Sequence, residues 1–358
     1  MLLALVAALP APGQAAGPGQ AAGPGSTSCA PRDGLSFICG PEASEDLARV
    51  PGTPWLIASG LNVGRPAPLY RIDTRTRAVT EIHADSPAMV RPDPELPEDC
   101  RSPPDPARVS TDGLSLHAGR GGRHRLYVSN HGDRRAVEVF EVDATGPRPE
   151  LRWRGCILMP DGTLPNAVTA LPEGGFAVTS FHDPDDPAAW ERMARGEDSG
   201  RIFEWHPGGA LREVPGSQMP GGNGIAVSPD GTTLYASAWA GARIIVLSRR
   251  TGARREIPLP FLPDNLHWLD DGRLLVGGQR TTVAAVGACQ GPHCPQPWVV
   301  AGLDPRTGMV ETLLEGPGDD LVDYACGALA LDGRLYVTVR GERRIGVAPL
   351  IGEGRRQR

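Results

Sequence analysis

The sequence predicts an all-β fold, a six-bladed β-propeller of four-stranded antiparallel blades whose ring is closed by an N-terminal strand. Three observations lead to it. First, six segments superpose, beginning Glu45-Asp46-Leu47, Asp112-Gly113-Leu114, Asn166-Ala167-Val168, Asn223-Gly224-Ile225, Asp264-Asn265-Leu266 and Cys326-Gly327-Ala328. Each opens an apolar run that meets a turn and then a second strand-like run, from Pro54–Ser59 in the first unit to Arg334–Val339 in the last. Self-similarity at roughly 40–70 residues marks a propeller or another repeat array. Second, the spacing from head residue to turn acid is the same for Asn166 to Glu173, Asn223 to Asp230 and Asp264 to Asp271. Third, 46 glycines and 37 prolines among 358 residues suit many turns and few long helices.

The elements follow in order. Leu2–Leu9 has the apolar character of a secretory signal core, and Gln14-Ala15-Ala16 and Gln20-Ala21-Ala22 offer small-residue cleavage sites, although a basic leader is missing. The Pro-Gly-Ala tract from Pro10 to Gly25 is a linker, so residues 1–28 are set apart. Residues 29–350 form the propeller, and 351–358 a basic tail. Within each unit a third strand, such as Val137–Val142 or Ile244–Leu247, precedes a turn and a fourth, such as Glu311–Leu314. The last unit has three strands, and its outer strand is expected from Leu35–Ile38, which removes two exposed sheet edges.

Composition excludes several functions. A net charge of −6 leaves no basic footprint for nucleic acid, and no apolar run after the leader is long enough to span a membrane. The chain has no lysine, which rules out Schiff-base chemistry on that residue. No Gly-x-Ser-x-Gly elbow occurs, nor a His-Glu-x-x-His zinc motif. Seven cysteines fit an oxidising compartment, hence a secreted or periplasmic protein. The expected pairs are Cys29–Cys39, Cys100–Cys156, tying the loops that enter two successive blades, and Cys289–Cys294, with Cys326 left free. A monomer is expected.

In a propeller, equivalent positions of successive blades face one axis, so the oxygen-bearing heads converge there. Here the residues carry a family resemblance. Ser44-Glu45-Asp46-Leu47, Val128-Ser129-Asn130-His131, Leu164-Pro165-Asn166, Asn223–Gly231 and Asp264-Asn265-Leu266 occur in an order that resembles the calcium-dependent six-bladed propellers of the SMP-30/gluconolactonase-like superfamily, within it the paraoxonase/arylesterase branch, over about Ser44 to Val347. The resemblance implies one Ca2+ at the axis, held by Glu45, Asn166, Asn223, Asp264 and Asn265. Calcium takes carboxylate and amide oxygens together, which suits this set.

The chain departs from the family at two positions. Paraoxonases carry a histidine, proposed as general base, where this chain has Asp112; the second histidine of their dyad is retained as His131. Their second, structural calcium uses an aspartate where this chain has Ala167, which leaves only Asp46, so one ion is expected. Asp112 then has three readings: general base, extra calcium ligand, or turn residue of a site that has lost its original chemistry. The resemblance places His182, Phe181 and Trp239 in the wall of the substrate pocket, while His117 and His124 are expected at the surface.

The implied activity is hydrolysis of a lactone or other ester, with Asp112, His131 and Asp264 as the catalytic set. Asp112 or Asp264 would activate water; in related phosphotriesterases the matching aspartate is discussed as a nucleophile. A non-catalytic ligand-binding propeller braced by calcium is the rival, favoured by the missing histidine and opposed by the retained ligands. A strictosidine-synthase-like lyase is a third reading, opposed because those relatives lack the full ligand ring.

Overall fold

The computed structural model describes residues 29–61, 66–82, 89–100, 102–289, 293–341 and 343–350, so the leader and linker of 1–28 and the tail of 351–358 lie outside the described residues. Six four-stranded antiparallel sheets follow one another around the ring. Strand β1 (Ser36–Cys39) precedes the first blade, made of β2 (Ser44–Arg49), β3 (Trp55–Gly60), β4 (Leu69–Asp73) and β5 (Val79–Ile82). The second blade is β6 (Thr111–His117), β7 (Arg123–Asn130), β8 (Ala136–Asp143) and β9 (Glu150–Leu158). The third is β10 (Pro165–Ala170), β11 (Phe176–Ser180), β12 (Arg201–Trp205) and β13 (Arg212–Glu213). The fourth is β14 (Gly222–Val227), β15 (Thr233–Ala238), β16 (Arg243–Ser248) and β17 (Arg254–Pro258), and the fifth is β18 (Leu262–Trp268), β19 (Leu274–Gln279), β20 (Trp298–Leu303) and β21 (Val310–Gly316).

The sixth blade, β22 (Ala325–Leu331), β23 (Arg334–Val339) and β24 (Arg344–Pro349), is completed by β1, with Phe37 opposite Gly346 and Ile38 opposite Ile345. The expected closure is therefore observed, with its strand one residue beyond the predicted start. Buried apolar side chains sit between neighbouring blades. Ile57, Leu126 and Trp153 join blades one and two, Tyr127, Phe176 and Trp205 join two and three, and Ile38, Leu56 and Tyr336 join six and one. Each blade covers the faces of its neighbours, and burial of these side chains drives closure.

Glycines after the heads let the inner strands crowd the axis. A Cβ on Gly224 would stand 2.2 Å from Asp264 O, and one on Gly113 would stand 2.4 Å from Ala167 Cα. Only hydrogen fits there.

The three expected disulfides are formed, and Cys326 is free and buried. The location expected for the second one needs correction. Cys156 lies inside β9, the outer strand of blade two, so the bridge pins the segment entering that blade to its own edge rather than tying two loops. His124 is a second correction. It is buried, and its Nδ1 accepts the Gly119 N–H at 3.1 Å, so it caps a turn instead of facing solvent.

Two short helices were not expected from the sequence. Helix α1 (Ala189–Ala194) follows β11, and α2 (Val283–Gly287) follows β19. Both sit in insertions longer than the links that join the second and third strands of blades two and four.

Candidate functional site at the propeller axis

One device aims all six heads. In every blade the pairing of the inner strand with the second strand slips by one residue at the head: between Ser44 and Leu47, Thr111 and Leu114, Pro165 and Val168, Gly222 and Ile225, Pro263 and Leu266, and Ala325 and Gly327. A bulge leaves the extra residue out of the ladder and turns its side chain. Glu45, Asp112, Asn223, Asp264, Asn265 and Cys326 are buried, and Asn166 is half-buried.

The heads meet one another. Asn265 Nδ2 donates to Glu45 Oε1 at 2.9 Å and to Glu45 O at 3.1 Å, linking blades five and one. Burial, then the charges of Asp112 and Asp264, push the Glu45 carboxyl well above the usual range. Burial raises Asp264 to about 7, with Asp112 adding to the rise, while hydrogen bonds from Gln279 and Asn223 oppose it. Three carboxylates from three blades therefore share one enclosed volume. Cys326 stands beside them, its thiol driven up by burial and by Glu45 and Asp264.

Four oxygens in this ring, Glu45 Oε2, Asp112 Oδ1, Asn166 Oδ1 and Asn223 Oδ1, are buried with no hydrogen-bond partner among the described residues. Leaving a buried acceptor unsatisfied costs about 1–3 kcal/mol. One hard cation would relieve all of them together, and an oxygen-rich set with several carboxylates fits calcium better than zinc. The residues present thus fit the implied ion.

A second ring stands one step further along. The residue that follows the ladder partner of each pre-head position is Leu61, His131, Phe181, Trp239, Gln279 and Arg340 in blades one to six. The sequence reading named three of these and missed Leu61, Gln279 and Arg340. For Gln279 and Arg340 the repeat register itself was the signal, because both directly follow their second strand run as His131, Phe181 and Trp239 do; Leu61 lies one residue beyond that column.

In this second ring His131 Nε2 lies 2.7 Å from Asp112 Oδ2. Gln279 is fully buried; its Nε2 donates to Asp264 Oδ2 at 2.9 Å and to Ala325 O at 2.8 Å, and its Oε1 accepts from Trp239 Nε1 at 3.0 Å. Phe181 packs 5.6 Å from Trp239 and 5.3 Å from His182, centroid to centroid, and Trp190 of α1 edges onto both Phe181 and Trp239 at 6.0 Å. Trp190 also covers Gly287 of α2, where a Cβ would come within 3.2 Å. The two helices thus form an aromatic cap beside the axis. His182 belongs to this wall; its Nδ1 is unpartnered among the described residues, and burial holds its pKa down.

Asp46, the remaining candidate for a second cation, is already satisfied. It accepts Leu47 N–H at 2.8 Å and Leu114 N–H at 3.0 Å, and His267 Nε2 lies 2.7 Å from its Oδ1. A cavity of about 130 Å³ beside it is lined by Asp46, Ser115, Thr169 and His267.

No protein-family model matches the chain, and no curated protein matches it in sequence. Solved structures do. A gluconolactonase from Xanthomonas campestris superposes with a TM-score of 0.57 at 21% identity, covering 88% of this chain and 89% of that one. A luciferin-regenerating enzyme gives 0.56 at 14% identity over 90% and 96%. Regucalcin from Agrobacterium tumefaciens, a calcium-binding protein, gives 0.53 at 13% identity over 88% and 93%. This chain has the six-bladed propeller fold shared by gluconolactonase and regucalcin-like SMP-30 proteins.

Proposed function

We propose that the chain is a calcium-dependent hydrolase of lactones or other esters. The observation that supports this most strongly is the set of buried, unpartnered oxygens on Glu45, Asn166 and Asn223, with Asp112 Oδ1 in the same volume. Glu45, Asn166, Asn223, Asp264 and Asn265 would hold one ion; Asp46, already hydrogen-bonded, favours one site over two. Bound there, calcium supplies a Lewis acid for a carbonyl oxygen and for the negative charge that gathers on it during acyl transfer.

The chain's own residues do the rest. Asp112 takes the proton of the attacking water on Oδ1, while His131 fixes Oδ2 and the carboxylate plane. Asp264 is the weaker candidate for base, because Gln279 already occupies its Oδ2. Phe181, His182, Trp190 and Trp239 wall the site and keep bulk water from the reacting carbonyl. Among the described residues no helix is long and apolar enough to cross a membrane, and the disulfides fit an oxidising compartment, as for a secreted or periplasmic protein.

A panel of lactones and aryl esters, assayed with calcium and with EDTA, tests the reading. Turnover that EDTA abolishes and calcium restores is the expected result. Absence of turnover in a calcium-loaded protein leaves the calcium-braced binding propeller as the better account.

A further inference from the structure

We propose that Arg340 makes the pocket selective for esters or lactones that carry a second, anionic group, a carboxylate remote from the scissile bond. The proposal rests on the hydrolase reading and extends it to a substrate class.

The backbone fixes where Arg340 begins. It follows Val339, the ladder partner of Ala325, and so occupies the same position in blade six that His131, Phe181, Trp239 and Gln279 occupy in their own blades. Its N–H donates to Tyr324 O at 3.0 Å, which anchors the residue beside the Cys326 head. Its guanidinium lies over the Tyr324 ring, 5.5 Å from the centroid, and Tyr324 is itself buried in the apolar cluster that contains Trp239 and Cys326. The charge of the same cation opposes part of the rise that burial gives Asp264, Cys326 and Tyr324.

Among the described residues the guanidinium has no fork partner. It is half-buried, yet no carboxylate among the described residues is within ion-pair distance of it. Each of the ring's carboxylates is held on one oxygen by another group, Asp264 Oδ2 by Gln279, Glu45 Oε1 by Asn265 and Asp112 Oδ2 by His131, and none is within ion-pair distance of Arg340. A planar five-donor fork that is partly desolvated and stacked on one face matches a carboxylate with two parallel hydrogen bonds. The aromatic side of the pocket, Phe181 and Trp239, offers no cation for that purpose. A substrate whose scissile carbonyl lies at the axis would therefore direct its anionic end toward blade six and its apolar body toward blades three and four.

The test pairs 4-nitrophenyl hemisuccinate with the 4-nitrophenyl methyl ester of succinic acid, in which an uncharged methyl ester replaces the remote carboxylate. The wild type is expected to prefer the hemisuccinate in kcat/KM by about 10- to 100-fold, mostly through KM, the range of one charge-assisted hydrogen-bonded pair. Arg340→Gln is expected to reduce that ratio to about one, and Arg340→Lys to leave an intermediate ratio, since a point charge replaces the fork. A wild type without preference, or a preference that survives in Arg340→Gln, overturns the proposal. Calorimetric titration of N-methylsuccinamate and of N,N′-dimethylsuccinamide, amides in place of the esters, into calcium-loaded protein repeats the comparison with ligands that are not esters. If neither ester is hydrolysed but the titration still depends on Arg340, the hydrolase reading fails and the anion site stands. If esters are hydrolysed but neither assay depends on Arg340, the reverse holds.

Discussion

Asp112 and His131 form the one carboxylate–imidazole contact that joins the two stacked rings of the site: His131 Nε2 lies 2.7 Å from Asp112 Oδ2, and Asp112 Oδ1 is left buried and unpartnered. The head ring carries the acid and the second ring carries the group that orients it. A carboxylate held on one oxygen and open on the other has the geometry of a general base. It also has the geometry of a metal ligand, and mutation separates the two.

Asp112→Asn and Asp264→Asn are expected to behave differently. Asp264→Asn removes a ligand and a charge, so calcium affinity and turnover fall together. Asp112→Asn is expected to retain calcium affinity while turnover falls by about 100- to 10,000-fold, the usual range for loss of a general base. Calorimetry and steady-state kinetics on the two variants decide this. An Asp112→Asn protein that loses calcium yet turns over in excess metal would make Asp112 a ligand.

The metal-free protein should lose stability as pH rises. Asp264 is raised to about 7 in the folded chain, and Glu45 is raised in the same direction. Between the ordinary carboxylate range and about pH 7 the folded state binds more protons than the unfolded state, so unfolding becomes easier with increasing pH. The contribution is whole at low pH and is lost through the folded pKa. Calcium favours the ionised carboxylates, so its stabilising effect should grow over the same window. It reaches about 2.7 kcal/mol once calcium exceeds its Kd a hundredfold. Melting curves in EDTA and in calcium, from about pH 5 to about pH 8, should diverge as pH rises. A calcium-induced change in Tm that is constant across that window would count against the carboxylate ring.

The blades were legible in the sequence because a short pattern repeats at fixed register, and the closure by Phe37 and Ile38 because the last unit is one strand short; the three cysteine pairs formed as expected, but the place of Cys100–Cys156, 56 residues apart, was not legible. The head residues were legible from the same repeat. The cap was not. Trp190 sits in a six-residue helix inside an insertion that lies outside the repeated strands, so no repeat points to it. Gln279 and Arg340 lay in plain register with His131, but their roles depend on side-chain partners that register does not reveal: Trp239 of blade four and Asp264 of its own blade for Gln279, and Tyr324 for Arg340. His267 was missed in the same way, since only the fold brings it to Asp46.

Gln279 joins the pocket wall to Asp264, the proposed metal ligand, and its chemistry fixes which way it points. An indole N–H can only donate, so the amide oxygen must face Trp239, which leaves both amide hydrogens for Asp264 Oδ2 and Ala325 O. The Asp264 carboxylate is thereby held against rotation. Gln279→Leu removes the donor and is expected to weaken calcium by about 10- to 100-fold, the cost usually seen when a group orienting a metal ligand is lost. Trp239→Phe keeps an aromatic wall but frees the amide to flip, so a smaller weakening is expected. Because the indole acts only through the amide, the double variant should bind calcium no more weakly than Gln279→Leu alone. A double-mutant cycle on calcium affinity measures that coupling directly. Strictly additive losses would mean that Trp239 and Gln279 act on the axis independently, and that the hydrogen bond between them does not position Asp264.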